Sequence, residues 1–199
     1  LTSPGDSLAS IRDAAATAGS GEHIVQFAST SKITFAGSGV GFVSAAANVL
    51  QSLSTHLSVQ TVGPDKVNQL RHARFLRGRV AEHMAKHAAI LEPKFALVER
   101  MLTEQLGELG IAQWTRPNGG YFVSLDLRPG LARAVISMAK DAGLVLTPAG
   151  ATFPYGVDPE DRNVRIAPTF GNLAELQGAM QILTLCVKLA SARQLLVSL

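Results

Sequence analysis

Apolar and polar positions change rhythm twice along this chain. Leu8, Ile11 and Ala15 recur at helical spacing after a start of Ser, Pro and Gly, so the spacing predicts one short helix near the beginning. The run His23-Ile24-Val25-Gln26-Phe27-Ala28 reads as a buried strand, and Ser29-Thr30-Ser31-Lys32 and the glycine-rich Gly37-Ser38-Gly39-Val40-Gly41 come directly after it. Phe42 to Ala47 reads as a second strand or a turn. Gly63-Pro64 breaks the chain, and proline suits a first helical position. A long helical period follows through Val80, Met84, Leu91, Phe95, Val98, Leu102, Leu106 and Leu109, at intervals of three, four and seven. Pro93 should kink or divide it, and Gly110 should end it.

Beyond Gly110 short strands and helices alternate. Ile111 to Arg116 and Tyr121 to Leu127 flank Pro117-Asn118-Gly119-Gly120, a strand, turn and strand. Leu131 to Ala142 reads as an amphipathic helix closed by Gly143. Leu144 to Thr147 reads as a short strand before Pro148, and Asn163 to Thr169 as another. Asn172 followed three residues later by Glu175 resembles a capping box, opening a last helix through Leu173, Leu176, Met180, Leu183 and Val187. No repeat or low-complexity tract is visible, and the second half reads as a compact α/β domain.

Composition removes the extreme classes. With 47% hydrophobic and 17% charged residues among 199, the chain can bury enough surface to offset its ordering entropy, which excludes disorder as its main state. Its 18 Lys+Arg exceed its 15 Asp+Glu by only three, too weak an imbalance to demand a nucleic acid. The single cysteine, Cys186, lies in an apolar run and cannot form an intrachain disulfide, so a buried thiol in a reducing, cytoplasmic compartment is expected. No secretory signal pattern is present, and a first residue Leu1 rather than Met suggests a piece of something longer. Ile33 to Pro64 contains no Asp, Glu, Lys or Arg, yet its Ser, Thr, Asn, Gln and Gly residues argue against a membrane span. A buried region packed around a site or against a partner subunit is expected instead.

Lys32 is the first chemical candidate. It follows an apolar strand, stands among small hydroxyl residues, and precedes 32 uncharged positions. Such surroundings would desolvate the amine, disfavour its ammonium form and leave a nucleophile able to form a Schiff base. The hydroxyls of Ser29, Thr30 and Ser31 could donate to a phosphate beside it, as in a phosphate nest. An ordinary lysine snorkelling from a strand end is the other reading. Arg165 is the second candidate. Val164 and Ile166 share one face of a strand and put Arg165 on the other with Asn163, so the guanidinium needs an anion. Residue types leave open whether that anion is Glu160 or Asp161 nearby in sequence, or a bound carboxylate.

These residues carry a specific resemblance. Ser29-Thr30-Ser31-Lys32 with Gly37-x-Gly39-x-Gly41 resembles the pyridoxal-phosphate lysine motif of class I aminotransferases. Three further stretches make the chain similar, over nearly its whole length, to the aspartate aminotransferase subgroup Ic. They are Gln60-Thr61-Val62-Gly63-Pro64-Asp65-Lys66 continuing to His72, Pro117-Asn118-Gly119-Gly120-Tyr121-Phe122, and Thr147-Pro148-Ala149-Gly150-Ala151-Thr152-Phe153-Pro154-Tyr155-Gly156. The resemblance implies the α/β C-terminal part of a fold-type-I pyridoxal-phosphate-dependent transferase. Residues 1–64 would end the large cofactor-binding domain, residues 65–110 would form the long connecting helix or helices, and residues 111–199 the small α/β domain. It further implies pyridoxal 5'-phosphate as cofactor, Lys32 as its Schiff-base lysine, Ser29, Thr30 and Ser31 beside it, and Arg165 binding the substrate α-carboxylate. Amino-acid and 2-oxo-acid substrates, with aspartate as the amino acid, and a homodimer belong to the same implication; no nucleic acid, membrane or metal is expected.

Two departures accompany the resemblance. The broader class I pattern has a phosphate-binding arginine at the position of Gly39. In addition, only 31 residues precede Lys32, and among them Asp6, Asp13 and Glu22 are the acidic candidates to pair with the pyridine nitrogen. Neither aspartate ends an apolar strand. The expectation is the C-terminal half of an enzyme, completed by a missing N-terminal half. The alternative is a catalytically incomplete fragment serving as a folded remnant or interaction module.

Other motifs match less well. Gly37-x-Gly39-x-Gly41 lacks the spacing and following acidic residue of a dinucleotide fingerprint. His83 and His87 stand i,i+4 with His72 on nearly the same helical face, but Glu82 precedes His83 where a zinc protease needs it after. Arg71, Arg74, Arg77 and Arg79 form a basic cluster best read as a solvated face or subunit contact.

Overall fold

The computed structural model describes residues 9–35 and 37–197, and Leu8 and Asp6 of the sequence reading lie outside them. The chain forms two compact units, the first ending at His87 and the second beginning at Ala88.

In the first unit, α1 (Ile11–Thr17) is capped by Ser10, whose hydroxyl accepts from the Asp13 N–H. Strands β1 (Gln26–Ser29) and β2 (Gly41–Ser44) pair antiparallel, with Ser29 opposite Gly41, and so present residues 30–35 and 37–40 between them. Helix α2 (Ala47–Gln60) follows, then α3 (Lys66–Leu76). The start of α3 is set by Asp65, whose carboxylate accepts from the Asn68 N–H at 2.9 Å, rather than by Pro64. A left-handed Gly78 (φ 66°) separates α3 from α4 (Val80–Leu106). The helical period is therefore divided at Gly78, and α4 runs through Pro93 as one element. Proline forfeits one backbone hydrogen bond there, while the buried Leu91, Leu97 and Val98 on either side hold the helix by packing.

Two expectations for this unit are corrected. The strand starts at Gln26 rather than His23 and is not buried: Phe27 is 77% exposed. The uncharged stretch after Lys32 is likewise mostly exposed, and no residue of α2 is buried. Apolar composition states what these side chains prefer, but it does not supply the surface that would cover them.

The second unit has an ordinary core. Strands β3 (Ala112–Trp114), β4 (Val123–Leu127) and β5 (Asn163–Ile166) form an antiparallel sheet in the order β3-β4-β5. Val123, Leu125 and Leu127 alternate inward with Val164 and Ile166, and pack with Val135 of α5 (Ala132–Asp141) and Leu183 of α6 (Leu173–Val197). The capping box at α6 is present in both directions: the Glu175 carboxylate accepts from Asn172 N–H, and the Asn172 side chain from Glu175 N–H, each at 2.9 Å. Cys186 is buried and free, and burial raises its thiol pKa. Leu144 to Thr147 forms no strand; it stays irregular between left-handed Gly143 and Pro148. Strand β5 stops at Ile166, just before Pro168, which has no N–H for a ladder. Helix α6 is long and apolar enough to cross a membrane by length and composition alone, but its Leu176, Met180, Leu183 and Val187 fill the core as an interior helix does.

Glu99 joins β3 to α4. Its carboxylate accepts from Arg116 Nε at 2.6 Å, Trp114 Nε1 at 2.8 Å and the Thr103 hydroxyl at 3.1 Å. Desolvation alone would raise its pKa, but these donors outweigh it and hold the group below the usual carboxylate range.

Candidate functional site

The Lys32 loop is built from its ends inward. Thr30 is buried and ties the mouth twice, its N–H donating to the Val40 carbonyl at 3.0 Å and its hydroxyl accepting from the Val40 N–H at 2.9 Å. The Thr30 carbonyl then accepts from the N–H groups of Ile33 and Thr34, closing a turn around Lys32. Ser29 and Ser31 meet side by side: the Ser29 hydroxyl donates to the Ser31 hydroxyl at 2.8 Å and accepts from the Ser31 N–H at 3.0 Å. Gly39 lies over this pair so closely that a Cβ there would stand 2.6 Å from the Ser31 nitrogen and nearer still to its hydroxyl. No arginine fits at that position in this loop, which gives the departure from the broader pattern a steric basis. Lys32 itself is exposed, so the expected desolvation by its uncharged neighbours does not occur within the described residues. Sequence neighbours set composition, whereas desolvation needs atoms packed around the amine.

Arg165 belongs to a second, separate constellation. It projects from β5 opposite Ser124 of β4, into an open cleft of about 370 Å³ whose wall includes Phe122, Ser124, Thr152 and Asn163. Its guanidinium carbon stands 4.5 Å from the Phe122 ring centroid, one NH2 group donates to the Thr147 hydroxyl at 3.2 Å, and its buried Nε has no partner among the described residues. The two nearby acids are engaged elsewhere. Glu160 pairs with Arg162 at 2.9 Å, and Asp161 lies 3.5 Å from Arg133. Among the described residues neither acid forms an ion pair with Arg165.

A polar frame supports the cleft. Asn163 donates through Nδ2 to the Ser124 hydroxyl at 2.8 Å and to Asp126 at 2.7 Å, and its side-chain oxygen accepts from Thr152 at 2.8 Å. Just before β5, Asp158 is 5% exposed and accepts backbone N–H bonds from Glu160, Arg162 and Asn163 at 2.8 to 3.0 Å. Its burial alone would raise the pKa, but the backbone donors prevail and lower it. The strand alternation puts Asn163 on the face of Arg165, as found, whereas Thr147 and Phe122 were not foreseen as its neighbours. Phe122 and Thr147 both stand in motifs that carry the family resemblance, but no local spacing ties either of them to Arg165.

The acidic candidates upstream of Lys32 do not end strands either. Asp13 sits in the first turn of α1 and Glu22 in a short helical turn, Gly21–His23. Among the described residues no three His, Cys, Asp or Glu side chains converge as a metal cluster would.

Known proteins share this chain's sequence and fold. A family profile described as aspartate amino-transferase matches residues 1–198. A protein of Mycolicibacterium smegmatis designated an aminotransferase is 50% identical over 184 residues, covering 92% of this chain and 43% of its own length. An aspartate aminotransferase of Corynebacterium glutamicum is 46% identical over 177 residues, covering 88% of this chain and 41% of its own. The crystal structure of an aspartate transaminase from Corynebacterium glutamicum superposes with a TM-score of 0.84 at 45% identity, over 92% of this chain and 44% of that one. A Thermus thermophilus α-aminoadipate aminotransferase, complexed with N-(5'-phosphopyridoxyl)-L-leucine, shares the fold alone, with a TM-score of 0.81 at 22% identity. The chain spans less than half the length of the curated relatives it matches. Its mixed α/β architecture is accordingly that of part of an aminotransferase, as expected for the C-terminal portion of the fold. On these matches, the chain belongs to the aspartate amino-transferase family.

Proposed function

We propose that this chain takes part in amino-group transfer between an amino acid, aspartate being the expected one, and a 2-oxo acid, with pyridoxal phosphate held at Lys32 as part of a longer enzyme. The observation that carries the reading is Arg165, a partly buried guanidinium at a cleft wall with both neighbouring acids engaged elsewhere. A planar fork in that setting suits a carboxylate, which it meets through two parallel hydrogen bonds.

The Lys32 loop fits the cofactor. Ser29 and Ser31 offer adjacent hydroxyls, and only glycine at position 39 lets the loop pass over them, since any side chain there would collide with Ser31. Ser29 and Ser31 would donate to the phosphate, Thr30 would hold the loop mouth, and Lys32 would hold the cofactor through its amine. The chemistry that bound pyridoxal phosphate supplies is an electron sink for the substrate's α-carbon. Lys32 Nζ would take the proton from that α-carbon and return it. Arg165 orients the substrate by its α-carboxylate and discriminates against amines that lack one. A homodimer in the cytoplasm belongs to the same reading.

Reduction with borohydride in the presence of pyridoxal phosphate, followed by peptide mass spectrometry, tests it. The pyridoxyl adduct is expected on Lys32, and an adduct on Lys66 or Lys94 instead would overturn the assignment. In the complete enzyme, Arg165→Lys should weaken amino-acid and oxo-acid substrates together, by about 2 to 5 kcal/mol of transition-state stabilisation. Loss of thermal stability with specificity constants near wild type would make Arg165 a structural residue. The 199 residues by themselves should not turn over aspartate, since no acid on a strand end stands upstream of Lys32 among the described residues.

A further inference from the structure

Three side chains from the helices that follow the Lys32 loop hold it at three successive points. His83 of α4 meets the Ile33 carbonyl through Nε2. His72 of α3 stands with Nε2 2.9 Å from the Thr34 hydroxyl. Asn68, one turn before His72, donates through Nδ2 to the Ser38 carbonyl at 2.7 Å. His72 is only 5% exposed, in a unit whose described apolar side chains are otherwise mostly in solvent. Its ring is fixed from the other side by Nδ1, 2.9 Å from the Asn68 carbonyl, and Phe35 of the loop packs edge-on against it at 6.1 Å between centroids. Phe75 does the same for His83 at 5.1 Å.

We propose that Asn68, His72 and His83 are positioning residues that fix the direction in which the loop presents Lys32. The proposal rests on the reading of Lys32 as the cofactor lysine. The physical case begins with freedom: left-handed Gly37 (φ 79°) and Gly39 leave the loop's distal half with little intrinsic preference, and a lysine side chain has many rotamers. The backbone ties at Thr30 and Val40 fix only the mouth. Contacts at Ile33, Thr34 and Ser38 fix the far side, beginning at the residue next to Lys32. Histidine serves well at position 72, because its two ring nitrogens meet both neighbours at once. With Nδ1–H donating to the Asn68 carbonyl, Nε2 accepts the Thr34 O–H.

The test uses the complete enzyme, stripped of cofactor, and two amine probes. Pyridoxal phosphate with borohydride reports oriented reaction at Lys32, acetic anhydride reports mere access, and Lys140 of α5 is the internal reference for both. In wild type the pyridoxyl ratio of Lys32 to Lys140 should be well above one. Thr34→Val, which keeps shape and removes the hydroxyl, and His83→Asn should each lower it about three- to tenfold, the worth of one hydrogen bond, with the anhydride ratio within about twofold. Thr34→Ser and His83→Gln, which restore a polar atom near the original place, should recover most of it. If a variant unfolds, both ratios approach one together, and Asn68→Ala then takes its place. A high wild-type ratio that no variant lowers overturns the positioning role and leaves the cofactor reading intact. A wild-type adduct spread evenly over the lysines overturns the cofactor reading itself, and the positioning role with it.

Discussion

The two units of this chain are held together by different physics. From Ala88 onward, interior side chains such as Leu102, Leu125, Val135 and Leu183 interlock across one sheet and three helices. Up to His87 the described residues include Ala15 as a buried apolar side chain, beside the buried polar Thr30 and His72. The loop that carries Lys32 is organised by hydrogen bonds from Thr30, Asn68, His72 and His83, whereas the cleft at Arg165 hangs on strands that a core already fixes. The segments that carry Lys32 and Arg165 thus rest on scaffolds of unequal rigidity.

Hydrogen exchange on the 199-residue chain would show the largest contrast. Amides of β4, β5 and α6 should exchange only through global opening of the second unit, while those of β1, β2 and α2 should exchange orders of magnitude faster. Equal protection would mean that the first unit has a core the described contacts do not reveal. Side-chain truncation sharpens the same point. Leu125→Ala, at a fully buried position, should cost about 2 to 5 kcal/mol in a denaturant titration, and Phe27→Ala, in the open, within about 0.5 kcal/mol.

That inequality also explains what the sequence could and could not tell. Elements of the second unit were legible because their apolar periods match the faces they bury: β4 with its inward Val123, Leu125 and Leu127, and α6 with its capping box at Asn172 and Glu175. Lys32, its serines and Arg165 were legible as residue types in a motif. The environment of Lys32 was misjudged, because His23 to Ala28 and Ile33 to Pro64 have the composition of buried chain without the cover. Pro93 does not divide the helix, because packing on both sides outweighs one lost hydrogen bond; the division falls at Gly78. The contacts from His72 and His83 back to the loop span 38 and 50 residues and leave no trace in local spacing.

Asp158 offers a smaller test with a sign. Its carboxylate gathers the backbone N–H groups that lead into β5, so Asp158→Asn should destabilise the second unit by about 1 to 3 kcal/mol through unsatisfied donors. Because the folded pKa is lowered, the stabilisation is present above the ordinary carboxylate range and is lost as pH falls through the folded value. Wild type should lose this increment on acidification and converge toward the variant at low pH. Parallel curves down to acid would show that the charge contributes nothing. The first unit should show no difference between the two proteins at any pH.

The smallest prediction compares like with like. Ser10 and Asn172 both cap helices by accepting an N–H three residues on, Ser10 at 3.3 Å and Asn172 at 2.9 Å with Glu175 reciprocating. Removing an N-cap side chain typically costs about 1 kcal/mol where the helix is part of the cooperative unit. Helix α6 is such a helix, since Leu176, Met180 and Leu183 place its first turns in the core. Asn172→Ala should therefore shift the global unfolding midpoint of the second unit by about that much, with the denaturant slope unchanged. Helix α1 is 7 residues long and buries only Ala15, so Ser10→Ala should fray it locally, raising exchange at its first amides and leaving the global midpoint in place. A global shift from Ser10→Ala equal to that from Asn172→Ala would mean that α1 unfolds with the core of the chain, and the division into a packed unit and a polar-tied one would fail at its least stable element.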